Sequence, residues 1–347
     1  MQDVSLLVGS EIYALDFSAW KKPVLRQCFP NIHVKFITSI AEVPPCGILV
    51  VWGMRQVVGE LAQDVKILRV EDGFLRSVGL GADLIRPISW VIDNRGIYYD
   101  ATQPSRLEVL LTNTIFTSCI IERAILLRER IVAERLTKYN VGVSDWQRPS
   151  LDKKIILVPG QVESDASLAY GAPNIRSNIG LLQAVRQANP DSFIVYKPHP
   201  DVIAGLRAKG IGEDEALHWC DVQLTDANMG SLLMVVDEVH VLTSLAGFEA
   251  LLRGKSVTCY GQPFYSGWGL THDIVPNPRR NRQLSLDELI AGVLIEYPIY
   301  LSRKGNALIT PEQALDELSE WRARAGGATP WWRECFRIVL RRVVGVR

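Results

Sequence analysis

The chain has 347 residues, 48% of them hydrophobic, and its 38 Lys and Arg are balanced by 38 Asp and Glu. That length predicts two lobes of ordinary size, each with its own core. A formal charge of zero argues against disorder and against a broad nucleic-acid-binding surface, so a charged ligand has to be met by local groups.

The six cysteines, Cys28, Cys46, Cys119, Cys220, Cys259 and Cys335, are scattered without CxxC spacing. They fit a reducing cytoplasm better than a disulfide framework or a metal site. No apolar run has the length of a bilayer span, and "MQDVSLLVGSEIY" lacks the basic flank of a signal peptide. A cytoplasmic protein that is not integral to a membrane is expected.

In chain order, the β-branched runs "VSLLVG", "HVKFIT", "GILVVWG" and "VKILRV" predict strands of a first lobe. "SRLEVLLTNTIFTSCIIERAILLRERIVAERLTKYN" reads as one or two helices, and "SDWQRPSLDKK" as a surface linker. The strands of a second lobe follow as "KKIILV", "SFIVYK", "EVHVLT" and "KSVTCY". Strands alternating with helical patterns predict parallel βαβ units, hence two α/β lobes with parallel sheets facing across a cleft. The expected divisions are residues 1–150, residues 151–300, and a closing segment 301–347. Two late helices carry capping-box signals, Ser285 with Glu288 and Thr310 with Gln313, with Pro311 opening the second. They are expected to brace the lobes. The end, "ATPWWRECFRIVLRRVVGVR", spaces Arg333, Arg337 and Arg341 along one helical face with Trp332, Phe336, Val339 and Val343 on another. That is the pattern of a helix lying on an anionic lipid surface, though a closing helix packed on its own protein would also produce it.

In open α/β sheets ligands sit beyond the carboxyl ends of the strands, and five of the predicted strands end in polar or glycine-rich loops. "VKILRV" runs into Glu71, Asp72, Arg76 and Ser77, where either a tight turn or a site fits. "KKIILVPG" runs into Gln161, Glu163 and Asp165. "SFIVY" runs into Lys197, His199 and Asp201 in "KPHPD", either a rigid edge loop or a phosphate site. "EVHVL" runs into Thr243, Ser244 and Glu249, with Thr243 or Ser244 as the N-cap of a short helix to about Arg253 that Gly254 ends. Such a helix start suits an anion, and Glu249 further along suits the hydroxyls of a ribose. "KSVTCY" runs into "GQPFYSGWG", with Gln262 and Tyr265 in an aromatic floor for a base or sugar, or in lobe packing. No GxGxxG or GxxxxGK[ST] follows a strand, which removes dinucleotide and P-loop readings.

Taken together, "RVEDGFLRS", "DNRGIYYDATQPSRLE", "KYN", "VPGQVESDAS", "KPHPDV" and "TSLAGFEALLRGKSVTCYGQPFYSGWGLTHD" resemble, in this order, the retaining β-Kdo glycosyltransferase modules of the KpsC type. The resemblance spans about residues 45 to 275. It implies a GT-B-like fold, with two Rossmann-like lobes and the nucleotide on the second. It implies transfer of Kdo, an acidic eight-carbon sugar, from CMP-β-Kdo to an oligo-Kdo linker on a lysophosphatidylglycerol-type lipid in capsular polysaccharide biosynthesis. KpsC commonly holds two such modules, and this chain corresponds to one.

Because donor and product are both β in that family, the resemblance points to two successive inversions. It makes Asp165 the nucleophile and Glu71 the base for the acceptor hydroxyl. Lys197, His199 and Ser244 form the phosphate set, with the Thr243 hydroxyl as an extra donor to the nucleotide, Glu249 takes the ribose, and Arg76 pairs with the Kdo carboxylate. Gln161 and Glu163 position the sugar or steady Asp165, and Gln262 and Tyr265 complete the substrate site. Neither a cofactor nor a metal is expected, since no DxD pattern occurs and the donor carries one phosphate. The partners are then CMP-Kdo, the lipid-linked acceptor and, through the basic tail, the inner face of the inner membrane. Competing readings are a GT-B enzyme using another CMP-sugar, such as a sialic acid donor, and a non-catalytic module that binds acidic glycan.

Overall fold

The computed structural model describes residues 11–79, 85–140, 142, 144–305 and 307–325. The strand expected over "VSLLVG" and the amphipathic tail lie outside the described residues.

The first lobe opens with β1 (Glu11–Leu15), α1 (Lys21–Cys28) and β2 (His33–Ile37), followed by β3 (Ile48–Trp52) and β4 (Lys66–Asp72). β1 pairs in parallel with both β2 and β3, and β3 in parallel with β4. Both faces of this sheet are covered. Ile12, Ala14, Val50 and Val70 pack into one core, and Tyr13, Leu15, Leu49 and Val51 into another on the opposite side. Burying each such aliphatic side chain contributes about 1.5–3 kcal/mol, so the alternation fixes which residue meets which layer.

The sheet is not wholly parallel, contrary to the sequence expectation. β5 (Ser89–Asp93) runs antiparallel to β4, with Val70 opposite Ile92. Among its described residues the connection from Gly73 to Ile88 has no crossover helix, and without one the chain can only return alongside the strand it left. Two helices then follow, α2 (Arg106–Asn113) capped by Ser105 and α3 (Ser118–Ala133) capped by Thr117. The segment read as a linker is pinned by Arg148, which makes a two-pronged pair with Asp237, and by Trp146 stacked on Phe193.

The second sheet is parallel throughout. Its elements are β6 (Ile155–Pro159), α4 (Ala166–Gly171), α5 (Asn178–Ala188), β7 (Phe193–Lys197), α6 (Pro200–Ile203), β8 (Val222–Gln223), α7 (Met229–Val235), β9 (Glu238–Val241), α8 (Leu245–Leu252), β10 (Ser256–Cys259) and β11 (His272–Asp273). The spatial order is β11-β10-β9-β6-β7-β8. β6 lies inside it with all five residues buried, which is why that run shows no polar alternation.

The chain then goes back. After α9 (Leu286–Ile290), opened by the Ser285–Glu288 capping box, β12 (Pro298–Leu301) pairs antiparallel with β5, and β13 (Leu308–Ile309) with β12. The first sheet thus has seven strands in the order β13-β12-β5-β4-β3-β1-β2. The second lobe therefore ends before β12, and residues 298–309 belong to the first. α10 (Pro311–Ala325) follows; the Thr310 hydroxyl accepts from Gln313 N while the Gln313 side chain accepts from Thr310 N. Arg123 and Arg130 of α3 hold Glu312 and Asp316 of this helix, which gives it the bracing role expected of it. Among the described residues no helix is long and apolar enough to cross a membrane.

Candidate active site

A cavity of about 590 Å³ separates the lobes, and the carboxyl ends of β3, β4, β6, β7 and β9 all open into it or into the loops that line it. Trp20, Lys21, Trp52, Glu71, Asp72 and Tyr99 stand on the first wall. Asp165, Lys197, His199, Ser244 and Glu249 face them from the second.

Glu71 occupies the end of β4. Its Oε1 accepts from the amide of Asp72 at 2.9 Å, and its Oε2 from the Tyr99 hydroxyl at 3.3 Å. Burial, reinforced by the neighbouring Asp72 carboxylate, pushes its pKa up to about 7. A carboxyl poised there can take a proton near neutrality. Gly53 makes the room: at φ +51°, a Cβ on it would lie 2.6 Å from the Tyr99 hydroxyl and 2.8 Å from Glu71 Oε2. Arg76 is buried and spends its fork on the same wall, with Nε donating to Asp72 Oδ2 at 2.5 Å and Nη1 to Ser77 Oγ at 3.1 Å. Its partner is Asp72, not Glu71, and much of the guanidinium expected for a substrate carboxylate is already engaged.

Asp165 is the N-cap of α4, yet its carboxylate makes no capping hydrogen bond. An N-cap Asp ordinarily accepts from the first turn, so this side chain is left available. Its nearest ionic neighbour is Arg207, whose Nη2 lies 3.9 Å away. Burial raises its pKa, with the Arg207 and Lys138 charges opposing.

Around it stands a set suited to a phosphate. His199 caps α6, with Nδ1 accepting from Asp201 N at 3.1 Å. That leaves Nε2 to carry the proton in the neutral ring. Burial and the charges of Lys138, Arg207 and Lys197 depress the pKa to about 3, so the imidazole is a neutral donor. Lys197 ends β7, its pKa lowered by burial and supported by Asp226. Ser244, not Thr243, caps α8, through Oγ accepting from Ala246 N at 3.2 Å, and α8 stops before Gly254 at φ +68°. Thr243 is held by Gln161 instead: the Gln161 amide donates to its hydroxyl and accepts from its backbone. Gln161 lines the cavity, but both ends of its amide are committed to this clamp.

Glu249 lies on the cavity side of α8, where one oxygen accepts from Lys138 N at 2.6 Å and burial raises its pKa. That bond joins the lobes. Lys138 is half-buried; desolvation disfavours its charge, but Tyr139 and Asp72 outweigh that and raise its pKa.

Three expected site residues are placed elsewhere. Glu163 turns out of the cavity lining and accepts from Asn178 N at 2.8 Å and Ile211 N at 3.4 Å, steadying the start of α5. Because β6 stops at Pro159, the alternation that would have set it beside Asp165 does not persist. Tyr265 is fully buried and donates to the carbonyl of Ser244, and Gln262 donates to Pro276 O at 2.9 Å. From that loop it is Pro263 and Phe264 that reach the cavity, Phe264 packing against Phe74 and Tyr98, while Trp268 is core. Conversely, Lys21, Trp52, Tyr99, Lys138 and Arg207 line the site without having been singled out. Lys138 and Tyr99 sit in "KYN" and "GIYYD", so their segments were visible though their roles were not. Lys21 and Arg207 carried no local signal.

A family model described as "Capsule polysaccharide biosynthesis protein" matches residues 49–300. Capsule polysaccharide modification protein LipA of Neisseria meningitidis serogroup A is 43% identical over 336 residues, covering 94% of this chain and 48% of LipA. The chain spans about half the length of that relative. Lipopolysaccharide-processing protein LpsZ of Rhizobium meliloti is 41% identical over 299 residues, 81% of this chain and 68% of LpsZ. Among solved structures, Thermosulfurimonas dismutans KpsC described as a beta Kdo 2,7 transferase superposes with a TM-score of 0.76 at 41% identity, covering 90% of this chain and 99% of that one. KpsC of the same organism described as a beta Kdo 2,4 transferase gives 0.76 at 30% identity, covering 89% and 98%. The two-lobed architecture is accordingly GT-B-like.

Proposed function

The chain belongs to the capsule polysaccharide biosynthesis protein family, and from that premise we propose that it is a retaining β-Kdo transferase working by double displacement. The donor is CMP-β-Kdo, and the acceptor is a Kdo-terminated, lipid-linked oligosaccharide met at the inner face of the inner membrane. The observation that carries the reading is the pair of carboxyl groups brought to one cavity from opposite lobes: Asp165, free of its capping duty, and Glu71, held near neutrality.

In the first step an Asp165 carboxylate oxygen attacks the anomeric carbon of Kdo and the bond from that carbon to the CMP phosphate oxygen breaks. CMP leaves as the anion. Lys197 and Lys138 offset the charge that develops, and the neutral His199 and the start of α8 supply oriented donors. In the second step the acceptor oxygen attacks the same carbon, Asp165 departs as carboxylate, and Glu71 takes the hydroxyl proton. The second oxygen of Glu249 is left to accept from the ribose. The higher identity to the 2,7 than to the 2,4 transferase favours a 2,7 linkage. No cofactor or metal is invoked in either step.

The test is turnover of CMP-Kdo with a synthetic Kdo-terminated acceptor, the product linkage being read by NMR. Asp165→Asn should abolish transfer, while Glu71→Gln should accumulate a Kdo adduct on Asp165 visible by intact-protein mass spectrometry. Near-normal turnover by Asp165→Asn would remove the double displacement, and an intact donor after long incubation with the wild type would favour a binding module.

A further inference from the structure

Lys21 is the first residue of α1, and its side chain lies in the first wall of the cavity. The position is electrostatically poor for a cation, because the positive end of the helix dipole is there. Burial pushes the ammonium down to about 8, with Asp72 and Glu71 opposing that shift and Arg76 and Arg55 adding to it. No carboxylate takes up the charge: among the described residues none forms an ion pair with it. Asp72 Oδ2 is occupied by Arg76, and the two oxygens of Glu71 by the Asp72 amide and Tyr99. The ammonium instead lies 2.9 Å from the ring centroid of Trp52 and 5.3 Å from that of Trp20.

A second observation falls in the same corner. Asp72 Oδ1 is buried and has no hydrogen-bond partner. Native proteins rarely leave such an atom unsatisfied, and a bound ligand is one of the few remedies open to it. A cation with an aromatic ring but no carboxylate for a partner, and a buried carboxylate oxygen with no hydrogen-bond donor, flank Glu71 and make one half of a recognition site. The other half has to bring an anion and a hydroxyl on one molecule.

We propose that this corner is the acceptor subsite, in which Lys21 takes the carboxylate of the acceptor sugar and Asp72 Oδ1 accepts from one of its hydroxyls, so that a neighbouring hydroxyl is presented to Glu71. Trp52 and Trp20 hold the ammonium at the edge of the cavity. The assignment rests on Glu71 as the base of the transfer reaction, and makes Lys21 the residue that selects an acidic acceptor over a neutral one. A neutral sugar would desolvate the ammonium without giving it a partner.

The experiment measures equilibrium binding to the full chain saturated with CMP, by NMR titration or calorimetry, of the β-methyl glycoside of Kdo and of its carboxamide. Wild type should prefer the acid by about tenfold or more, the usual cost of removing one member of a desolvated charge pair. Lys21→Met should erase the preference by weakening the acid alone, and Lys21→Arg should keep most of it. Equal binding of the two glycosides, binding of neither, or a preference that survives Lys21→Met would overturn the subsite. So would a Lys21→Met effect confined to the CMP-Kdo KM, which would move Lys21 to the donor. CMP-Kdo consumption, followed in parallel, separates the two levels. Discrimination without consumption strikes the transferase reading, and consumption without discrimination strikes the subsite.

Discussion

Gln161 and Thr243 clamp each other at two points: Gln161 Nε2 donates to Thr243 Oγ1 at 3.0 Å, and Thr243 N donates to Gln161 Oε1 at 2.9 Å. The clamp ties the loop after β6 to the loop that opens α8, and so sets the spacing between Asp165 and Ser244. Removing it strands the half-buried hydroxyl and amide of Thr243. Gln161→Leu should lose about 1–3 kcal/mol of stability in urea unfolding. CMP affinity should drop with it, because the start of α8 loses its register. Unchanged stability with lost CMP binding would instead make Gln161 a direct ligand.

Glu71 gives the proposed transfer reaction a pH signature. Its pKa, about 7 in the folded protein, lies above the ordinary 4.5, so the fold favours the protonated form. Ionising it costs stability, and that loss sets in as pH rises from about 4.5 and is complete above about 7. Two measurements follow. On the proposed mechanism the kcat/KM for the acceptor should climb with pH to a plateau above about 7, since Glu71 has to be ionised to act as the base. Glu71→Gln should lack the limb along with transfer, and should melt at or above the wild-type temperature at pH 8. A lower melting temperature there would contradict the sign of the shift.

Gly53 is required by both conformation and space. At φ +51° a side chain is strained, and the Cβ would press on Tyr99 and Glu71 at once. Gly53→Ala should cost about 1–3 kcal/mol by thermal unfolding and should displace the acid limb described for Glu71. An unaltered limb in a folded Gly53→Ala protein would show that Glu71 does not depend on this packing.

The Arg-rich end carries a separate prediction. If "ATPWWRECFRIVLRRVVGVR" lies on lipid, the full chain should sediment with anionic vesicles and lose that binding with added salt, while a chain ending near Gly326 should not bind. Equal sedimentation of both would remove the membrane role from the tail.

The strand-ending loops were legible because each follows from local chemistry. A buried parallel strand reads as a continuous apolar run, and the polar residues after it have to be at its carboxyl end, where α/β clefts form. Local pattern alone puts Glu71, Asp165, Lys197, His199, Ser244 and Glu249 at strand ends, and all six line one cavity. Capping boxes at Ser285 and Thr310 were legible for the same reason, the donor and acceptor being three residues apart.

What stayed hidden depended on contacts between distant segments. The return of β12 to the first sheet, the pairing of Arg76 with Asp72, the clamp that occupies Gln161 and the turning away of Glu163 toward Asn178 are all choices among partners that local pattern leaves equal. Lys21 and Arg207 are the plainest cases. An isolated cation carries no periodicity, and its meaning depends on which charges burial brings near it. Sequence alone determined the two-lobe α/β plan and the strand ends that bear chemistry, because both arise from short-range periodicity. Only the tertiary structure decided which of those polar groups remain unspent, because hydrogen bonding and desolvation are set by neighbours far away in the chain.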